Sequence, residues 1–115
     1  MRYLIVLLLT GCVIAPADLR QRTPTIERSS KLTPDQAAAC VSGAAAEHHQ
    51  SVHAQIHNAG KDREVFVYAA GGFGPLLLAI VRAEPSSDGT LLKVMVQPSA
   101  LTPDAFATAI VNGCE

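Results

Sequence analysis

The chain has 115 residues, a length that holds no more than one ordinary domain. It is 49% hydrophobic, has no tryptophan and carries a formal net charge of −1, which removes bulk electrostatic support for a nucleic-acid partner. The charge is uneven: Val13–Lys31 holds four basic and two acidic residues, whereas from Leu32 onward four basic residues face eight acidic ones.

The first element is a short export-type leader. Met1-Arg2 is followed by the apolar run Tyr3–Leu9, far shorter than the roughly 20 residues a membrane-spanning helix needs but suited to the core of a signal peptide. Next comes Leu9-Thr10-Gly11-Cys12, an aliphatic residue, two small ones and a cysteine. This stretch resembles the lipobox of bacterial lipoprotein precursors. The resemblance implies that residues 1–11 are a signal peptide and that Cys12 becomes the first residue of the mature protein. Cys12 would then carry a thioether-linked diacylglycerol and an N-linked acyl chain, and no other cofactor is expected. Several acyl chains, at roughly 0.8 kcal/mol per buried methylene, hold a protein on a lipid membrane. Val13 after the cysteine, in place of Asp, implies the periplasmic leaflet of the outer membrane.

Residues 13–31 are rich in Pro, Thr, Ser and Arg and show no apolar periodicity. With Cys12 they read as a disordered tether, residues 12–31, ahead of a small domain over residues 32–115.

The domain begins and ends on the same tetrapeptide, Leu32-Thr-Pro-Asp35 and Leu101-Thr-Pro-Asp104. Each predicts a helix start: threonine caps free N–H groups, proline suits the first turn and aspartate faces the positive end of the dipole. Gln36 completes a capping box with Thr33, and Leu101 is placed to staple onto Phe106. The first helix is expected over Pro34–His48, with Ala37, Cys40, Val41, Ala44 and Ala45 on one face. The second is expected from Pro103 to about Asn112, with Phe106, Ala109 and Ile110 inward.

Between them the period changes to two. Val52, Ala54 and Ile56 alternate with His53, Gln55 and His57. Further strands follow at Glu64–Ala70, Leu76–Glu84 and Leu91–Gln97, separated by turn-forming segments. The expectation is an α+β fold of order α-β-β-β-β-α: a four-stranded antiparallel meander with both helices packed on one face.

With Cys12 assigned to lipid, Cys40 and Cys114 remain. An even pair in a small exported domain reads as a disulfide, here joining the two helices and worth roughly 4–5 kcal/mol in the chain-entropy model.

Four histidines, His48, His49, His53 and His57, lie within ten residues. Imidazole is a common transition-metal ligand, so the His48, His49, His53 and His57 cluster offers a metal-binding alternative, with His49, His53 and His57 as the candidate ligands. On a strand, however, His53 and His57 stand about 13 Å apart. Gly71-Gly-Phe-Gly-Pro75 lacks the Gly-Lys-Ser/Thr ending of a phosphate loop and reads as a hairpin connection. No nucleophile stands with a base in recognisable spacing, so the sequence points away from an enzyme.

The informative feature is the second face of the sheet. If Val65, Val67, Ala79, Val81, Leu92, Val94 and Val96 point to the helices, then Phe66, Tyr68, Leu78, Ile80 and Met95 point away. A face left to water should be polar, and an apolar patch of this kind marks a partner surface, for an envelope protein or a second copy of the chain. The competing readings are a strand frame displaced by one residue, or coverage of the patch by the tether. The layout is similar to that of small periplasm-facing lipoproteins, a likeness that implies no activity.

Overall fold

The computed structural model describes residues 15–71, 74–98, 100 and 102–115. The expected lipobox, Leu9–Cys12, lies outside the described residues, as does Leu101 and with it the expected staple onto Phe106. The elements in chain order are α1 (Pro16–Arg20), β1 (Ile26–Ser30), α2 (Pro34–His48), β2 (Val52–Ala59), β3 (Asp62–Gly71), β4 (Gly74–Ser86), β5 (Gly89–Val96) and α3 (Pro103–Val111).

The expected four-stranded meander is overturned. The sheet has five antiparallel strands in the order β1-β5-β4-β3-β2, and three helices accompany it. The meander itself is present as β2 to β5, but the segment read as a tether supplies a fifth strand and a further helix. β1 pairs with β5 from Ile26↔Val94 to Ser30↔Thr90. Its hold is the backbone ladder, extended just ahead of the strand by Thr25, whose N donates to Val94 O at 2.7 Å and whose side-chain Oγ1 accepts from Val96 N at 3.2 Å. Pairing of this kind needs no apolar periodicity in the added strand, which is why β1 leaves so little trace in the residue pattern.

α2 starts as its residues dictate. Thr33 Oγ1 accepts from Gln36 N, and Gln36 Oε1 accepts from Thr33 N, both at 3.2 Å, closing the capping box. The second Leu-Thr-Pro-Asp behaves differently. Thr102 is left-handed, with φ 48 and ψ 63, and its side chain makes no capping bond. Identical local sequence therefore leads to two different helix entries.

α2 carries the chain from the β1 edge to the β2 edge across one face of the sheet, and α3 packs beside it. Ala37, Ala38, Val41 and Ala45 of α2 and Ala107, Ile110 and Val111 of α3 meet Val65, Val67, Ala79, Val81, Leu92 and Val94, all buried. The small residues of α2 allow close approach of helix to sheet.

Cys40 and Cys114 form the expected disulfide, with Cα atoms 5.7 Å apart and a sequence separation of 74. Around it the buried Ser30 donates its hydroxyl to Cys114 O and accepts from Leu32 N, while Thr90 Oγ1 donates to Leu32 O at 2.7 Å. The end of β1, the C-terminal segment and the β4–β5 hairpin are thus tied at one point. Gly89 belongs to this knot: its φ is +141, and a Cβ there would stand 2.3 Å from Ser30 O.

Candidate functional site

The face of the sheet opposite α2 and α3 has two halves. One is charged, along the cross-strand row Glu27–Lys93–Arg82–Glu64–His57 from β1 to β2. Here Lys93 Nζ lies 3.1 Å from Glu84 Oε1. Arg82 Nε lies 3.3 Å from Asp62 Oδ2 and 3.9 Å from Glu84 Oε2, without hydrogen-bond geometry to either.

The other half is apolar, built from Phe66, Leu77, Ile80 and Met95 with Tyr68 at its margin, and it is not open to water. α1 lies on it. Leu19, fully buried, packs into this cluster and leaves Ile80 at 0%, Met95 at 3% and Phe66 at 7% exposure. Arg20, the next residue, has its guanidinium carbon 5.2 Å from the Phe66 ring centroid and its Nε 3.0 Å from Glu64 Oε2. One five-residue helix therefore makes an apolar contact, a cation–π contact and an ion pair with one face.

Of the residues expected on this face, Phe66, Tyr68, Ile80 and Met95 share it, and Leu78 does not. The β3–β4 register shifts between Val67 and Tyr68, where Val67 pairs with Ala79 but Tyr68 pairs with Leu77. The extra residue in β4 is Leu78, and it packs against the helix-side core instead. A bulge exchanges the faces of every residue beyond it, so Leu77 takes the position expected of Leu78. Three consecutive leucines at positions 76–78 give the sequence no means of marking the shift.

Leu19 and Arg20 were missed for another reason. Their helix carries the usual signals, proline at its start and Asp18 in the first turn, but five residues are too few for an apolar period to be read.

The histidines do not converge. His48 stacks edge-on against Phe106, with ring centroids 5.2 Å apart, at the end of α2. His49 Nδ1 accepts from Ser51 N at 3.1 Å and lies 2.7 Å from Ser51 Oγ. His57 lies against Phe66 of the neighbouring strand, at a centroid separation of 4.7 Å, and His53 is four residues away along the same strand as His57. Among the described residues no three His, Cys, Asp or Glu side chains gather as a metal site.

Two open depressions flank these elements. One, about 360 Å³, is bordered by His48, His49, Val52, Leu78 and Phe106 on the helix side. The other, about 420 Å³, is bordered by His53, Gln55, Tyr68 and Pro75. The second adjoins the apolar cluster through Tyr68.

No helix among the described residues is long and apolar enough to cross a membrane. The chain matches no family model, no curated protein and no solved structure.

Proposed function

We propose that the chain is a lipid-anchored envelope lipoprotein acting as a non-enzymatic docking module, whose partner meets the outer face of the sheet at the Tyr68 margin. The observation that carries this reading is the seat of α1. The segment directly after the lipobox packs on the outer face through Leu19 and Arg20. Only Val13, Ile14 and Ala15 stand between Cys12 and the first residue of α1. With Cys12 acylated, this connection spans at most about 14 Å, and the outer face is held close to the bilayer rather than at the end of a long tether. The partner is then a membrane-surface component, an envelope protein in or beside the same leaflet. The depression lined by His53, Gln55, Tyr68 and Pro75 is the part of that face left accessible beside α1.

The test uses the full chain expressed in a Gram-negative envelope. Cys12→Ser is expected to lose incorporated palmitate and to leave the protein unprocessed or soluble. A photo-crosslinking residue at Tyr68 is expected to give a discrete adduct, whereas one at the exposed Asp104 on the helix side gives none. Membrane-bound, processed protein after Cys12→Ser would end the lipoprotein reading. Adducts from Asp104 and none from Tyr68 would end the outer-face reading.

A further inference from the structure

We propose that β2 is the self-association edge of this protein: a second copy adds its own β2 antiparallel to the first, continuing the sheet across a two-fold axis centred on Gln55. β2 is a terminal strand of the sheet, and it is an undefended one. Its eight residues, Val-His-Ala-Gln-Ile-His-Asn-Ala, include no Lys, Arg, Asp, Glu or Pro, and its pairing with β3 runs from Val52↔Ala69 to Ala59↔Asp62 without a register shift. Natural edges are normally blunted by charge, proline or a bulge, and a long regular edge without them is a template for another strand. The opposite edge shows the contrast, since the shorter β1 carries both Glu27 and Arg28.

The strand also fits itself. The two-residue turn Gly60-Lys61 makes Ala59↔Asp62 the closing pair of the hairpin, and ladder alternation then turns the peptide groups of Ala54, Ile56 and Asn58 to the open edge. Ala70 N donates to Ser51 O, which agrees with this phase. Two copies paired about Gln55 keep their helix faces on one side, because residues opposite each other then differ by an even number. Ala54 stands opposite the partner's Ile56, and His53 opposite the partner's His57. Ile56 is 46% exposed in the single chain, one of the two large apolar side chains so exposed among the described residues. Pairing gives it a small neighbour to cover.

Charge supports the same arrangement. Antiparallel addition brings the β2–β3 turn, with the exposed Lys61, beside the start of the other copy's β2, which the exposed Glu47 in the last turn of α2 precedes by a few residues. This meeting occurs twice, once at each end of the joint. Nothing within the paired strands opposes it, as no like charges face each other.

Single-cysteine variants of the full chain in the bacterial envelope test the register. After mild oxidation, Gln55→Cys is expected to give a covalent dimer on a non-reducing gel. His53→Cys and Asn58→Cys, which are separated from their own symmetry mates by about 13 Å and 20 Å, are expected to give at least tenfold less. Adding Ile56→Lys to Gln55→Cys is expected to abolish the dimer, and trypsin resistance of the domain equal to that of the unsubstituted chain shows that each variant has folded. Equal crosslinking at the three positions, none at Gln55, or persistence with Ile56→Lys in a folded variant would overturn the proposal.

Discussion

Arg20 Nε and Glu64 Oε2 meet at 3.0 Å across 44 residues of sequence, with the Arg20 side chain 40% exposed and that of Glu64 4% exposed. The pair is lopsided: the carboxylate is buried in the sheet and depends on a cation delivered by a short helix from outside it. Next to that cation, Leu19 fills the apolar half of the same face. α1 is therefore held by two adjacent residues of different chemistry.

The two contributions can be separated. Arg20→Ala should cost about 1–2 kcal/mol, because Glu64 keeps its burial and loses its partner while solvent screens part of the effect. Leu19→Ala removes a fully buried leucine and should cost about 2–4 kcal/mol. Urea unfolding measures both. Limited trypsin digestion at Arg20 and Arg22 should accelerate at least tenfold in Leu19→Ala, with β2 to β5 remaining intact. Digestion spread evenly over the chain would mean that α1 opens only when the whole domain unfolds.

The disulfide should act as a unit. Cys40→Ser and Cys114→Ser should each lower stability by about 3–5 kcal/mol, and the double variant by no more than either single one. Additive losses in denaturant titration would show two independent side-chain contributions instead of one bond.

Two turn glycines should respond unequally to Ala. Gly60→Ala places a Cβ in open space at φ +66 and should cost about 1 kcal/mol, the backbone penalty alone. Gly89→Ala adds a collision with Ser30 O and the Lys31 backbone, so it should cost more than about 2 kcal/mol and detach β1. Amide exchange across Ile26–Ser30 is the specific readout. Equal costs with no change in β1 protection would contradict the close approach.

The repeated Leu-Thr-Pro-Asp offers a matched comparison. Thr33→Ala should cost about 1 kcal/mol through loss of the capping box. Thr102→Ala removes no capping bond and should lie within about 0.5 kcal/mol of wild type. Thr102→Gly should be stabilising, since the left-handed backbone costs a β-branched residue about 1 kcal/mol. Equal destabilisation by both alanine variants in thermal unfolding would show that both threonines cap.

The sequence by itself determined the features governed by neighbours along the chain. α2 spans Pro34–His48 as its caps predict, because a threonine, a proline and a glutamine within four residues satisfy the first free N–H groups locally. The central meander follows from period-two alternation, and the Cys40–Cys114 bond follows once Cys12 is assigned elsewhere. Tertiary structure decided the rest. β1 joins the sheet through backbone groups that every residue possesses, and α1 settles on the outer face because an apolar cluster running from Phe66 to Met95, far along the chain from Leu19, needs cover. The bulge at Leu78 exchanges it with Leu77, since the ladder between β3 and β4, and no property of either leucine, sets which side each one faces. Local chemistry names the elements; which of them meet, and in what register, is settled by contacts between residues far apart in the chain.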